Sequence, residues 1–203
     1  MAVLRRLRRS DYRRTRWKND GGWTTEIARD DAPGGGARDG TFDWRVSIAD
    51  IERDGPFSSF PGIDRDLLLL AGNGIELDID DAPPQRLDRR FQHVRFAGES
   101  SVGCRLLAGA TRDFNVMVRR GVIEAEVIAR PLAGPMLIFP QAGVTWLVHV
   151  VAGALAARAG DDSIAAEHDD TLLIDATGDA RIVLEGAGEL VLVRFTAIEP
   201  AAT

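Results

Sequence analysis

Alternation of apolar and polar residues at period two, cut into short runs by Gly, Pro, Asn and Asp, constrains the fold of this chain more than any other feature. Such runs recur about every eight to twelve residues, and no stretch of any length repeats at the helical period, which is the pattern of strands joined by turns. Strands are expected over Trp23–Arg29, Asp43–Asp50, Asp66–Ala71, Ile75–Ile79, Gln92–Phe96, Gly103–Leu107, Phe114–Arg119 and Glu124–Ile128. The pattern continues through Met136–Phe139, Val144–Val151, Leu155–Ala159, Thr171–Ile174, Arg181–Glu185 and Leu190–Thr196. So many short strands imply an all-β barrel or sandwich, because closure or stacking is what removes unpaired sheet edges.

A faint internal repeat narrows the choice. Leu70-Ala71-Gly72-Asn73-Gly74-Ile75-Glu76-Leu77 resembles Val151-Ala152-Gly153-Ala154-Leu155-Ala156-Ala157, each a glycine turn entering an alternating strand. Acidic turns follow, Gly98-Glu99 and His168-Asp169-Asp170, and each half closes on an apolar strand, Asn115–Val118 or Leu190–Val193. That order belongs to a cupin-type double-stranded barrel, and two of them make a bicupin, with jelly-roll-like halves packed in one compact unit. The halves are expected at about 1–120 and 121–203, although an echo this short also arises between unrelated hairpins.

The 203 residues suffice for such a unit, which buries roughly 70% of its unfolded surface. One cysteine, Cys104, excludes an internal disulfide, and no charged start leads into an apolar leader, so a cytoplasmic protein is expected. The longest apolar run, Thr145–Ala157, is interrupted by Gly153 and falls short of the roughly 18 residues of a membrane span. Net charge is −6, yet Arg5, Arg6, Arg8, Arg9, Arg13, Arg14 and Arg16 crowd the start against Asp11 alone. This stretch reads as a solvated strand or short helix offsetting the acidic remainder; no recognition helix or zinc-finger spacing follows, so nucleic acid is not an expected partner. Asp30–Thr41, with Pro33-Gly34-Gly35-Gly36, reads as a mobile surface loop, since no helix with a Lys-Ser or Lys-Thr pair follows to make a phosphate cradle.

Lys18 is the only lysine beside 24 arginines. An ammonium is a compact charge that desolvation can neutralise, whereas a guanidinium is a planar fork that stays charged, so a lone lysine is either a solvated side chain or a selected one. Strand faces supply further candidates. Trp44, Val46 and Ile48 oppose Arg45, Ser47 and Ala49; Phe114, Val116 and Val118 oppose Asn115, Met117 and Arg119; Thr24 and Glu26 oppose Thr25 and Ile27. If the polar faces line one interior, Lys18, Arg45 and Arg119 meet Glu26, Glu99 and Asp113 there. Such a cluster either neutralises itself or leaves a cation free for an anion. Outward-facing stripes of the same residues are the competing arrangement.

The turn-rich segment Asp54–Arg65 brings Phe57 and Phe60 either over a pocket or merely onto the core, with Asp64 and Arg65 as a surface ion pair. Metal chemistry is disfavoured: His93, His149 and His168 lie far apart and none joins a His-x-His plus Glu pattern. His149 reads as a satisfied core histidine and His168 as an exposed turn residue. Nucleophilic catalysis lacks a Gly-x-Ser-x-Gly elbow, and Cys104 sits in an apolar strand.

Trp17-Lys18-Asn19-Asp20-Gly21-Gly22-Trp23-Thr24-Thr25-Glu26-Ile27, Trp44-Arg45-Val46-Ser47-Ile48-Ala49, Gly55–Arg65, Phe96–Glu99 and Asp113–Met117 stand in the order of the HutD/Ves family pattern, which this chain resembles over residues 17–121. Asp20 replaces a usual glycine. The resemblance implies a bicupin without metal ligands or cofactor, associated with bacterial histidine utilisation, and no firmly implied catalysis. It points to a binder of a small carboxylate, urocanate or a formyl or formimino derivative of glutamate. Lys18, Arg45 and Arg119 are then expected on the anion, Asn19, Thr24, Ser47 and Asn115 as neutral partners, Glu26 or Glu99 orienting a cation, and Phe60 and Met117 as apolar wall. The alternative is a metal-independent hydrolase or isomerase with Glu26 or Glu99 as general base. Contact of the Arg-rich start with a regulator or nucleic acid is a third reading, and self-association as a homodimer is left open.

Overall fold

The computed structural model describes residues 2–31, 42–176 and 181–199, so most of the predicted glycine loop lies outside the described residues; Asp30 and Asp31 end a strand. In chain order the strands are β1 (Ala2–Leu7), β2 (Arg13–Arg16), β3 (Gly22–Asp31), β4 (Phe42–Ile51), β5 (Gly55–Pro56), β6 (Ile63–Ala71), β7 (Ile75–Ile79), β8 (Gln85–Leu87) and β9 (His93–Ala97). They continue as β10 (Val102–Leu106), β11 (Thr111–Arg119), β12 (Ile123–Ala133), β13 (Met136–Ile138), β14 (Val144–Ala159), β15 (Asp162–Glu167), β16 (Thr171–Ala176) and β17 (Ile182–Ala197). The helical content among the described residues is one 3-10 turn, Arg9–Asp11, so none of their helices is long and apolar enough to cross a membrane.

The chain divides into two units, Arg13–Val122 and Met1–Tyr12 with Ile123–Thr203. The chain crosses between the units at Tyr12–Arg13 and at Val122–Ile123, so the N-terminal strand groups with the C-terminal stretch. In the Arg13–Val122 unit a six-stranded antiparallel sheet, β2-β3-β4-β11-β6-β9, accompanies a four-stranded one, β5-β10-β7-β8. Ala49, Ile51, Leu67 and Leu69 of the first join Ile75, Leu77, Val102 and Cys104 of the second in one buried cluster. Each fully buried Leu or Ile there stabilises by about 1.5–3 kcal/mol, which holds the two sheets face to face.

In the other unit a seven-stranded sheet runs β1-β16-β14-β17-β12, with β13 on β17 and β15 on β14. Here two expected interruptions vanish: Val144–Val151 and Leu155–Ala159 are one strand of 16 residues, as are Arg181–Glu185 and Leu190–Thr196. Gly153 does not break β14; it sits at φ +81 beside a bulge between Val150 and Ala152, where a Cβ would lie 2.1 Å from the Ala187 carbonyl oxygen. Glycine here permits a bend at close backbone approach instead of ending the strand. Val148, Val150, Leu172, Ile174, Leu184 and Leu192 form its core.

The arginine-rich start is strand, 3-10 turn and strand. β1 pairs with β16 through Leu4 opposite Ile174, and Arg9 and Arg6 reach Asp169 (3.1 Å) and Asp170 (3.9 Å) of the acidic turn. His149 is buried, with Nδ1 2.9 Å from Thr171 Oγ1, and His168 is exposed.

Candidate functional site

Four strands of the six-stranded sheet lay out the site as cross-strand rows. Arg65 of β6 lies opposite Met117 of β11, which lies opposite Arg45 of β4; the next row is Leu67, Asn115, Ser47 and Glu26. Because side chains alternate across a strand, both rows face the same way. Diagonal neighbours then meet across strands: Arg65 Nε and Nη2 donate to Asn115 Oδ1 at 3.2 and 3.0 Å, and Arg45 Nε donates to Glu26 Oε2 at 2.7 Å.

Two adjoining chambers open on this face. The inner, about 550 Å³, is floored by Ser47, Ala49, Leu67, Asn115 and Met117, with Arg65, Phe57, Lys18 and Asn19 around it. The outer, about 650 Å³, is lined by Arg13, Glu26, Arg29, Phe42 and Pro61 among others. Thr15, Arg16, Trp17, Thr24, Arg45 and Phe60 line both. Trp17 Nε1 donates to Thr24 Oγ1 at 2.8 Å, and its ring meets Phe57 edge-on at 6.4 Å.

Arg65 dominates the electrostatics. It is 9% exposed and, among the described residues, has no carboxylate within ion-pair distance. Its guanidinium lies 4.9 Å from the Phe96 ring, 5.3 Å from Phe57 and 5.8 Å from Phe60. Burial first, and then the nearby charge of Arg45, push it down to about 10, so it remains a cation at neutral pH. An unpaired buried charge costs several kcal/mol; each aromatic face returns about 0.5–2 kcal/mol, leaving a cation disposed toward an anion.

The expected surface pair Asp64–Arg65 is therefore wrong. Asp64 pairs with Arg120 at 2.7 Å, while Arg65 turns inward in phase with Leu67 and Leu69. That phase was readable in Ile63–Ala71, where Ile63, Leu67 and Leu69 alternate in step with Arg65 while Asp64 and Asp66 take the other face.

Of the sequence-derived candidates, Lys18, Asn19, Thr24, Glu26, Arg45, Ser47, Phe60, Asn115 and Met117 line one chamber or both. Arg119 and Glu99 line neither. Arg119 ends the inward face of β11 and is held by Asp43 at 3.3 Å. Glu99 grips Arg120 at 2.6 and 3.0 Å, which holds its carboxyl down at about 2. Its neighbour Gly98 clamps the Phe60 loop: Phe60 N donates to Gly98 O at 2.7 Å and Gly98 N to Ile63 O at 2.6 Å. A Cβ at Gly98 would lie 2.4 Å from the Phe60 carbonyl oxygen, so the motif glycine allows the loop to sit against the sheet. Asp20, at the usual glycine position, takes φ +54, a left-handed conformation aspartate tolerates, and Asn19 Oδ1 accepts from Gly21 N at 3.0 Å.

Asp113 lies one row below the inner floor, opposite Ala49 and Leu69. It is 0% exposed, among the described residues neither carboxyl oxygen has a hydrogen-bond partner, and burial pushes it up to about 8. It is thus a neutral acid, and not the compensating charge expected there. As a metal centre the lining is poor: among the described residues Glu26 is its one acid and it holds no histidine or cysteine. Among the described residues no three of His, Cys, Asp and Glu converge as a metal-holding group.

The HutD family model matches residues 9–192. An uncharacterized 21.2 kDa protein in the hutC 3′ region of Pseudomonas putida is 49% identical over 117 residues, 58% of this chain and 59% of that one. The chain thus spans about three-fifths of the length of that curated relative. Among solved structures, HutD from Pseudomonas fluorescens SBW25 (formate condition) has a TM-score of 0.78 at 33% identity, covering 96% of this chain and 99% of that one. A conserved protein of unknown function, PA5104 from Pseudomonas aeruginosa PAO1, has a TM-score of 0.85 at 32% identity, covering 96% and 98%. Likeness at 9% identity to an oxalate decarboxylase of Lactobacillus farciminis, TM-score 0.66 over 98% and 87%, shows the fold alone, a cupin-like one.

Proposed function

The chain belongs to the HutD family, and from that premise we propose that it is a metal-free, cupin-type binder of a small carboxylate, tied to the control of histidine breakdown in the cytoplasm. Its two units would be the two halves of a bicupin, with the ligand in the Arg13–Val122 half. The observation that carries the reading is Arg65, a buried guanidinium facing a cavity, with aromatic rings and one amide oxygen around it and, among the described residues, no acid paired with it. A guanidinium grips a carboxylate through parallel N–H donors, and Ser47 and Arg45 flank the same floor. Urocanate and the formyl and formimino derivatives of glutamate are the candidate ligands.

The enzyme alternative has less support. Glu26 is tied to Arg45, and Glu99, far below neutrality on Arg120, is a feeble base.

Calorimetric titration with urocanate, N-formylglutamate, N-formiminoglutamate and unrelated acids tests the proposal. Saturable heat is expected from at least one of these carboxylates, weakened at least about tenfold in Arg65→Met. Because the substitution removes a buried charge but also leaves Asn115 Oδ1 without its donor, urea denaturation of the variant accompanies the titration to establish that it is folded. Silence from every acid, or undiminished binding in Arg65→Met, overturns the reading.

A further inference from the structure

We propose that binding in the inner chamber is proton-linked through Asp113: the chamber holds a carboxylate while this enclosed acid keeps its proton and loses its grip as the proton leaves. This rests on the carboxylate reading above and adds to it a regulatory group that itself touches no ligand.

Asp113 shares the inward face of β11 with Asn115 and Met117, both floor residues, and lies opposite Ala49, which lines the same chamber. A two-residue step along a strand is roughly 7 Å, so the acid stands one row from the amide that holds Arg65. The pairing of β11 with β6 shifts register between Arg112 and Asp113, a bulge of the kind that re-aims a side chain.

The groups around Asp113 leave its charge unmatched. Inward neighbours are Ser47, Ala49 and Ile51 on β4, Arg65, Leu67 and Leu69 on β6, and Thr111 and Asn115 on its own strand. The facing sheet adds Ile75 and Leu77 of β7 and Val102 and Cys104 of β10, and Asp54 beyond them accepts from Leu106 N at 2.8 Å. Arg65 is the one cation in this set, and among the described residues its donors go to Asn115 while both Asp113 oxygens have no partner. Cys104, pushed up to about 12 by burial and then by the Asp113 and Asp54 charges, does not titrate near neutrality.

An enclosed carboxyl without a partner keeps its proton at neutral pH, and desolvation holds this one at about 8. Once ionised, it sets a negative charge behind the floor on which the ligand carboxylate lies. Like charges this close weaken binding by about tenfold or more. By reciprocity the bound anion makes the Asp113 proton harder to remove, so binding near pH 8 takes up protons.

Calorimetric titration of the full chain with N-formylglutamate and with urocanate at pH 7, 8 and 9 tests the linkage, since the charge of either probe changes little over that interval. Affinity is expected to fall about tenfold from pH 7 to 9 in the parent, and less than about twofold in Asp113→Asn, whose neutral amide keeps the shape of the protonated acid. Arg65, held at about 10, contributes equally in both proteins. In the parent alone, titrations at pH 8 in phosphate and in Tris, buffers of different ionisation heat, should differ in enthalpy by the amount that proton uptake requires; this readout does not depend on the variant folding. Constant affinity from pH 7 to 9, or no proton uptake at pH 8, overturns the linkage and leaves the carboxylate reading standing. An equal pH dependence in parent and Asp113→Asn overturns the assignment to Asp113. Silence from both probes at every pH overturns this inference together with the reading beneath it.

Discussion

Asp113 shows how one buried group sets a measurable property of the whole fold. Its carboxyl, fully enclosed and without a hydrogen-bond partner, is held up at about 8 by desolvation. The unfolded chain releases the same proton near pH 4, so between about pH 4 and 8 the folded state binds more protons than the unfolded one. The Asp113 contribution is therefore fully present below pH 4 and is lost as pH rises to about 8, by up to about 1.4 kcal/mol per pH unit. Urea denaturation at pH 5 and pH 8 should show Asp113→Asn losing much less stability over this interval than the parent; equal slopes would mean that Asp113 ionises normally in the fold. Alternation placed Asp113 on the same face as Asn115, and both are indeed inward. It could not reveal that the rows closed over Asp113 and opened at Asn115. The same holds for the cations: periodicity turned Arg45 and Arg119 to one face, but the partner taken by Arg119 is Asp43, a neighbour visible only once β4 and β11 are in register.

At the scale of elements, long alternating runs were legible and short polar strands were not. β5 has two residues and β8 three, too few to display a period, and β2 reads Arg-Arg-Thr-Arg, with no apolar member to reveal a face. These strands exist because a neighbour offers its backbone: Arg13–Arg16 pairs with Trp23–Glu26, and Arg14 and Arg16 stack on the Trp23 ring at 4.6 and 5.0 Å. The loop between β5 and β6 shows the reverse dependence, since its Phe60 wall is placed by Gly98 between β9 and β10. Gly98→Ala should push the Phe60 carbonyl away, costing about 1–3 kcal/mol in urea denaturation as an overpacked contact and weakening carboxylate binding in calorimetry. Full stability together with parent affinity would show that the loop relocates without consequence for the cavity.

At the scale of the molecule, the polypeptide enters one unit, leaves it after Tyr12, builds the other, and returns at Ile123. Tyr12 is where the first passage is tied down: its hydroxyl donates to the Asp169 carbonyl oxygen at 2.7 Å and lies 2.7 Å from Thr171 Oγ1, on which His149 also converges. Tyr12→Phe should cost about 1–3 kcal/mol, because buried polar partners lose a hydrogen bond. Hydrogen exchange should accelerate in β1 and β16 while carboxylate affinity stays at the parent value; altered affinity with unchanged exchange would contradict this assignment of Tyr12 to the C-terminal unit. The amino-acid order alone determined the all-β class, the inward faces of β4 and β11 and most of the residues that line the cavity, since these depend on alternation and turn chemistry within a few neighbouring residues. Only the tertiary structure decided which charges were matched. Asp43, Glu26 and Arg120 come to their partners through strand register and loop clamping, and those long-range pairings left Arg65, expected at the surface, as the enclosed cation without an acid.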